Sequence, residues 1–489
     1  MEGQYARRFF FWILAALFSI TTILVVFYAL GYRFSFARGV FIYGGSVTIK
    51  ANPKNVEILL DDKPVTGKKV NYINSSYHID GIRPGDYLLE VKAPGYQTWT
   101  KDISVNSGIS TEFWNVVLVK NEYAKNDLHA SGDKKIFISP KNDFLAFTSK
   151  MNGETALNIL DLKTGIYRSV FKSKDHEMPG DGYKIEWSPH SDSVILPLKN
   201  NTDLSIDYFL VEIENSNSIN IKDLVPDKNI SYLRWDPKEK NILYFMADNN
   251  LYRLDKRQPD QLKLLAEGAR SYDFASGKIY YLHVPSDIVY EIDLSGEQSP
   301  TQITNSPPEG VAGISFELIV YDKDRIVFED KKNKSVYIWN QGKEDNYFRK
   351  LNIEAEGIQF SDDGKKLLYW NNWEIFIYFT RNWDVQPARS ENEILDLTRF
   401  SEPVDSVQWS KDYEHVLFTV GNNLKIAELD RRDNCNIMDI FELKSSQSYV
   451  TSYFDAEKVY VSEKGAKDLF YSYFAIDFPE KEGILGIGG

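Results

Sequence analysis

The side chains best suited to acid–base chemistry or metal binding are few in this chain and lie far apart. Such a site needs several groups that converge, and histidine is the residue that most often serves either purpose. No histidine recurs at a fixed place in the sequence repeats of this chain, so we expect each one to be satisfied locally or exposed. The six are His78, His129, His176, His190, His283 and His415.

Cysteine chemistry and catalytic motifs are equally sparse. The single cysteine, Cys435, excludes an intrachain disulfide and a cysteine-based zinc site, and it does not assign the protein to a compartment. No GxSxG elbow, HExxH motif, Walker-A loop or paired CxxC occurs in the sequence. We therefore predict that the protein is not an enzyme and has no catalytic, cofactor-binding or metal-ligating residues.

Two short acidic clusters could in principle bind calcium, which takes several oxygen ligands. They are Asp322-Lys323-Asp324 and Asp248-Asn249-Asn250. Neither forms a complete calcium loop, and hairpin turns use the same residue types. We expect both clusters to be turns.

Charge and composition narrow the class of protein. The net charge of −13 argues against a nucleic-acid partner, because phosphate binding requires a basic surface. Apolar residues make up 43% of the chain and aromatic residues 14%. This aromatic content suits the half-buried surface of a β-sheet, so we predict an all-β fold behind an N-terminal helix.

A membrane-spanning segment is predicted at residues 9–30. This stretch of 22 residues carries no charge, and about 20 apolar residues cross the hydrocarbon core of a bilayer. The alternative is a cleaved signal peptide, since Ala29-Leu30-Gly31 has small residues at a suitable spacing, but the apolar run is longer than a signal peptide needs.

The charges beside this segment and the large domain on its C-terminal side determine the expected topology. Arg7 and Arg8 precede the segment, while Arg33 and Arg38 come after it and partly balance them. We predict a cytoplasmic N-terminus at residues 1–8, a signal anchor at 9–30, a juxtamembrane linker at 31–44, and an extracytoplasmic remainder.

Residues 45–119 predict a small β-sandwich. Apolar and polar residues alternate around Val47, Val56 and Tyr87, and Pro/Gly/Asp/Asn clusters separate the runs, which indicates short antiparallel strands joined by turns. A last strand at residues 111–119 would complete the sandwich.

The same segment resembles the PEGA domain. The resemblance rests on residues 53–62 and more strongly on 84–91 followed by 94–99, which read PGDYLLEV and PGYQTW. Asn55, Val56 and Asp62 depart from the family pattern in the first half. The resemblance implies a small extracytoplasmic sandwich without catalysis, and it supports the outside orientation. Tyr96 and Trp99 could stack on a sugar, but packing is the favoured interpretation.

A short phrase recurs through the rest of the chain. An apolar–polar–aromatic triplet is followed by Ser, Asp or Pro and then by an apolar strand, at intervals of about 48–49 residues in the clearest copies. Its aromatic residues are expected to pack between repeats and its hydroxyl or acidic residues to cap turns. The anchors of the copies are Ser139, Ser188, Asp236, Ala275, Asp322, Ser361, Ser410 and Asp455.

This period matches the blade of a β-propeller, which has four strands in about 40–45 residues. The phrases at Trp187-Ser188-Pro189 and Ser361-Asp362 resemble the WD-like repeats of TolB-type propellers. We predict a TolB-like propeller at 120–478, with eight blades favoured and seven possible, and a flexible C-terminal tail at 479–489.

These features together favour a membrane-anchored binding or scaffolding protein at the cell envelope. We expect the protein to need no cofactor. We expect its partner to be an envelope protein, a peptide or a cell-wall glycan. A rival hypothesis is a propeller enzyme acting on glycan or peptide, with acids, His or Arg converging at the axis. A third is a structural spacer in a surface layer.

Overall fold

The computed structural model describes residues 2–29, 32–35, 40–66, 68–71, 74–180, 183–308, 316–343, 348–453 and 457–479. These residues are mostly strand behind one long N-terminal helix, so the mostly-β prediction is confirmed. The predicted tail lies outside the described residues except for Pro479, and the repeat anchor Asp455 also lies outside them.

The N-terminal helix spans Glu2–Ala29. Within the described part of the chain it is the one helix long and apolar enough to cross a membrane, and none of the residues in its most apolar window is buried. A membrane anchor and a signal sequence share this length and composition. A hairpin of Tyr32–Ser35 and Val40–Tyr43 follows within the predicted linker.

Two four-stranded sheets form the segment expected to be a sandwich, here called the two-sheet module. One contains Gly45–Asn52, Lys69–Asn71, Ser76–Ile82 and Ser110–Val117, and the other Glu57–Leu60, Lys63–Pro64, Gly85–Lys92 and Trp99–Val105. They share a hydrophobic core that includes Val47 and Ile49 from one sheet and Leu89 and Ile103 from the other.

One strand pair in the module differs from the antiparallel prediction. Ser110–Val117 runs parallel to Gly45–Asn52. The preceding strand, Trp99–Val105, belongs to the opposite sheet. The chain therefore crosses from one sheet to the other before its last strand, and it pairs with the first strand without a hairpin to impose an antiparallel direction.

The remaining described strands form eight consecutive antiparallel sheets. Sheet 1 contains Ile136–Ile138, Phe144–Met151, Glu154–Asp161 and Tyr167–Ser173. Sheet 2 contains His176–Glu177, Glu186–Trp187, Ser193–Asn200, Ile206–Glu212 and Ser218–Asn220. Sheet 3 contains Ser231–Trp235, Ile242–Ala247, Asn250–Asp255 and Lys263–Ala266, and sheet 4 contains Ala269–Ala275, Lys278–His283, Ile288–Asp293 and Thr301–Gln302. Sheet 5 contains Phe316–Asp322, Arg325–Asp330, Ser335–Asn340 and Phe348–Glu354, and sheet 6 contains Gly357–Phe360, Lys366–Trp370, Glu374–Phe379 and Ile394–Arg399. Sheet 7 contains Val404–Trp409, His415–Val420, Asn423–Glu428 and Ile437–Glu442. Sheet 8 contains Tyr449–Tyr453, Lys458–Glu463, Tyr471–Asp477 and Asn126–Gly132. Two short helices, Ile221–Leu224 and the 3₁₀ turn Pro259–Gln261, lie in connections.

The eight sheets close into a ring. Each sheet packs on the next through a buried apolar cluster, and a further cluster joins sheet 8 to sheet 1. Asn126–Gly132 pairs with Tyr471–Asp477, so the beginning of the ring supplies the outer strand of its last sheet. First strands of several neighbouring sheets contact each other, as in sheets 4 and 5 and in sheets 7 and 8, and they lie nearest the axis. This is the architecture of a β-propeller.

The recurring phrase has two structural roles. Its hydroxyl or carboxylate caps the turn after the first strand: Ser139 Oγ accepts hydrogen bonds from the backbone N–H groups of Asp143 and Phe144 at 3.2 and 3.0 Å. Its tryptophan joins sheets: the indole N–H groups of Trp187 and Trp409 donate to the carbonyls of Phe137 and Gln359 in the preceding sheet at 3.0 and 3.1 Å. Packing and turn capping therefore account for the phrase.

Candidate functional site

The structure does not bring the histidines together. Among the described residues, four of them pair with a nearby aspartate: His78 with Asp80, His129 with Asp127, His176 with Asp207, and His415 with Asp412. Within the described residues, no group of three or more His, Cys, Asp or Glu side chains is arranged to hold a metal ion.

The two acidic clusters considered for calcium form turns. The carboxylate of Asp322 pairs with the guanidinium of Arg325 and accepts the backbone N–H of Asp324 at 3.0 Å. Asp248 and Asn249 have φ angles of 54° and 59°, as both central residues of a tight hairpin turn require.

The ring has two distinct faces. The turns between first and second strands, and between third and fourth strands, open on one side. We call this side the docked face, because the two-sheet module contacts it. The turns between second and third strands, and the connections from one sheet to the next, form the opposite side, the open face.

Trp99 shows how the module is held on the docked face. It is 1% exposed, and its indole N–H donates to Glu428 Oε2 at 2.8 Å, at the end of a strand in sheet 7. A residue buried in this way cannot stack on a sugar, so packing is the observed role of Trp99. Tyr96 is half-buried against the module core, with Lys120 Nζ 5.9 Å from its ring centroid.

Polar contacts extend the interface across sheets 6 and 7. Gln386 in sheet 6 accepts the N–H of Glu112 at 3.0 Å and donates to the carbonyl of Ser110 at 3.0 Å. Arg432 donates to the Glu112 carbonyl at 2.7 Å, and its guanidinium lies 4.2 Å from the ring centroid of Phe113. Both ring residues belong to turns of the docked face.

A buried ion pair lies at the centre of the interface. Lys101 of the module is fully buried, and its Nζ lies 2.7 Å from Glu428 Oε1. The same ammonium donates to the carbonyl of Asp430 at 2.6 Å. Buried charges are tolerated when they are paired and hydrogen-bonded, so this contact commits the module to one position on the ring.

Further titratable groups surround this ion pair. Burial opposes charge on His415, but the carboxylates of Asp412, Glu428 and Glu414 outweigh it, so the pKa of His415 is raised. Burial raises the pKa of the Glu414 carboxyl despite its pairing with Lys366. Burial also raises the pKa of the Cys435 thiol to about 12, which leaves it unreactive.

The axis of the ring carries charged groups. Arg234 of sheet 3 lies 2.8 Å from Asp273 Oδ1 of sheet 4 and 3.4 Å from Glu186 Oε2 of sheet 2. The remaining oxygens also have partners: Glu186 Oε1 accepts the N–H of Trp235, and Asp273 Oδ2 accepts the N–H of Val320. Burial raises the pKa of Glu186. The oxygens of Glu186 and Asp273 are nevertheless all engaged in contacts that join neighbouring sheets.

Two contacts at the open face join sheets that are not neighbours. The hydroxyl of Tyr232 in sheet 3 donates to Glu317 Oε1 in sheet 5 at 3.2 Å. Lys134, just before sheet 1, lies 3.4 Å from Asp405 in sheet 7. Side chains can bridge alternate sheets only where first strands converge, so these pairs mark the mouth of the axial channel on the open face.

Among the described residues, large apolar side chains are exposed on the open face. Six large ones lie on the open face: Met151, Tyr183, Leu204, Tyr232, Trp373 and Leu469. Three on the ring lie on the docked side, Ile166, Tyr167 and Val385, and two more, Ile219 and Leu264, lie on outer strands. Because exposed large apolar residues are more numerous on the open face than on the docked side of the ring, we take the open face as the candidate functional site.

Sequence reasoning missed both the interface and the mouth. Trp99 and Glu428 are 329 positions apart, and no local pattern links them. The exposed residues of the open face lie in turns and connections that the repeats do not share. One signal was available: large apolar residues such as Leu204 and Leu469 stand in turn segments, where they have no core to enter.

Comparison with known proteins agrees with the N-terminal resemblance. The PEGA domain family matches residues 44–121, and none of the curated proteins matches the chain. Solved structures similar to it include Hsv2 from Kluyveromyces lactis, at 8% identity and TM-score 0.38, covering 63% of this chain and 98% of that one.

Two further structures are 12% identical to this chain. An oligogalacturonate lyase from Vibrio parahaemolyticus gives a TM-score of 0.38, covering 65% of this chain and 93% of that one. The β-propeller domain of Cps50 (Swd1) from Myceliophteria thermophila gives 0.39, covering 72% and 99%. Structural similarities at these TM-scores do not support a conclusion about fold or function. The propeller assignment depends on the strand topology.

Proposed function

We propose that the protein is a non-catalytic binding or scaffolding platform at the cell envelope. The N-terminal helix serves as an uncleaved anchor, the module is a PEGA-like sandwich outside the membrane, and each of the eight sheets is one blade of a TolB-like propeller. The partner is an envelope protein, a peptide or a cell-wall glycan, and nucleic acid is not a partner.

One observation carries this proposal: the two faces of the ring differ. The module occupies part of the docked face through buried contacts, while six large apolar side chains remain exposed on the open face. Loops on a rigid scaffold are where binding residues are usually found. The open face is therefore the surface available to a partner.

The axial charges give the rival enzyme hypothesis its best support, because burial raises the pKa of Glu186 near the axis of the ring. However, Arg234 and backbone N–H groups already engage the carboxylates of Glu186 and Asp273. A general acid or base must be able to reach a substrate proton. The observed arrangement instead favours a structural role for these residues.

Site-specific photo-crosslinking in cells tests the proposal. A photoreactive amino acid would replace Leu204 or Leu469 in the full-length protein, with Ile166 on the docked side as the matched control. The three side chains are 64%, 84% and 70% exposed, so accessibility alone does not separate them. We expect discrete adducts from Leu204 and Leu469 only. Adducts confined to Ile166, or none from the open face, would contradict the proposal.

A further inference from the structure

A cleft on the open face lies between sheets 1 and 2. Its volume is about 350 Å³, enough for two or three amino-acid residues. Phe137, Met178 and Tyr183 give it apolar walls, and Lys134, Lys135 and Lys150 stand at its edges. All these residues belong to first strands, strand ends or connections that reach the open face.

Asp133 and Glu177 also line the cleft, so three lysines and two carboxylates give its lining a net charge of +1, on a chain whose net charge is −13. Lys134 pairs with Asp405 at 3.4 Å and Lys150 with Glu177 at 3.1 Å, and all four side chains are more than a third exposed. Exposed ion pairs contribute little to stability. An incoming carboxylate can therefore exchange for these acidic partners at small cost.

Lys184 adds another positive charge to the open face near this cleft. It makes no ion pair within the described residues. Its side chain is exposed; desolvation and the positive charges of Lys331 and Lys135 lower its pKa, while the carboxylates of Glu329 and Glu317 oppose that shift. A carboxylate bound beside Lys135 would relieve this repulsion between lysines.

Thr155 supplies an independent observation. It contributes to the wall of the cleft, it is 2% exposed, and its hydroxyl makes no hydrogen bond among the described residues. Buried hydroxyls nearly always have a partner. In a cleft edged with lysines, this hydroxyl is left to donate a hydrogen bond to a ligand.

We propose that this cleft binds an acidic peptide segment of a partner protein, with carboxylates on the lysines and an apolar side chain against Phe137 and Met178. The proposal deepens the proposed function and rests on it, since it names the ligand chemistry of the open face. Apolar walls beside cationic edges match alternating acidic and apolar residues, which is a chemistry that peptides supply.

Fluorescence anisotropy with the full-length protein in nanodiscs tests the proposal. The probe is a fluorescein-labelled peptide that alternates glutamate with phenylalanine, and glutamine replaces glutamate in the comparison peptide. We expect at least tenfold tighter binding of the glutamate peptide, and at least a tenfold loss in the double variant Lys135→Gln, Lys150→Gln. Lys163→Gln, at an exposed lysine on the docked face, should leave the affinity unchanged.

Thr155→Val keeps the shape of the side chain and removes the hydroxyl. We expect unchanged or higher thermal stability together with weaker peptide binding. An equal loss with Lys163→Gln, or competition by a polyuronate but not by the unlabelled peptide, would overturn the proposal. If the peptide fails to bind while the open-face photo-adducts persist, only the ligand assignment fails; if both fail, the proposed function fails too.

Discussion

Lys101 is the residue whose burial most constrains the molecule. Its ammonium is completely enclosed, and it is matched by the Glu428 carboxylate and by the Asp430 carbonyl. Such a pair adds little net stability compared with an apolar contact, but it strongly disfavours any arrangement that leaves one charge without the other. It therefore specifies where the module docks rather than how tightly the chain folds.

Lys101→Met tests this role. The change leaves the Glu428 carboxylate buried without its cation, which should destabilise the protein by about 3–5 kcal/mol. We expect a clear drop in Tm by circular dichroism, and partial recovery when Glu428→Gln is added, because the second change removes the stranded charge. Lys163→Met, in an exposed pair, should have almost no effect. Equal Tm values for the two single variants would contradict the role assigned to Lys101.

The raised pKa of His415 makes the stability of the folded protein depend on pH. Its raised pKa means that the folded protein binds a proton more tightly than the unfolded chain does. The stabilisation is fully present below the unfolded pKa of about 6.5, and it is lost as the pH rises through the raised folded pKa. The groups responsible are Asp412, Glu428 and Glu414.

We expect the Tm of the wild-type protein to fall more between about pH 6.5 and pH 9 than the Tm of His415→Gln does. The variant lacks the titrating group, so its profile should be flatter on the alkaline side. His129→Gln, at a histidine 80% exposed, should follow the wild-type profile. Parallel profiles for wild type and His415→Gln would show that His415 does not titrate in this range.

At the scale of the element, the first strand of a sheet is held to its neighbour by the tryptophan that ends it. The indole N–H of Trp409 reaches the carbonyl of Gln359, and that of Trp235 reaches the carbonyl of Glu186 at 3.3 Å. The bond joins the innermost strands of adjacent sheets, where few backbone hydrogen bonds cross. The recurring tryptophan therefore forms a contact between neighbouring sheets.

Trp409→Phe removes this bond and keeps most of the apolar volume. Because the Gln359 carbonyl loses this donor at a half-buried position, we expect a loss of about 1 kcal/mol, seen as a lower urea midpoint. Trp373→Phe, at a tryptophan 44% exposed on the open face, is the matched control and should not shift the midpoint. Similar midpoints for the two variants would mean that packing alone explains the recurring tryptophan.

For the whole molecule, the sequence predicted the features that local rules encode. Alternation and turn residues predicted strands, and the regular return of Ser139, Ser188 and Asp236 predicted the ring, because each repeat depends on nearby residues. Docking of the module was beyond prediction, since Lys101 and Glu428 meet only after the ring has closed. The parallel pairing of Ser110–Val117 was missed for a similar reason, because it depends on a crossover between sheets.

Cys435, the only thiol, reports whether the module and the ring stay together. It lies beside the interface, and its Sγ is 3.1 Å from the Glu428 carbonyl. Burial raises its pKa to about 12, against about 8.5 in an unfolded chain, so it should react with a disulfide reagent at pH 8 much more slowly in the native protein. Trp99→Ala opens the contact to Glu428 and should accelerate labelling at unchanged far-UV circular dichroism, whereas Trp373→Ala should not. If Trp99→Ala labelled as slowly as the wild type, the ring itself would protect the thiol, and the module would not be held through Trp99.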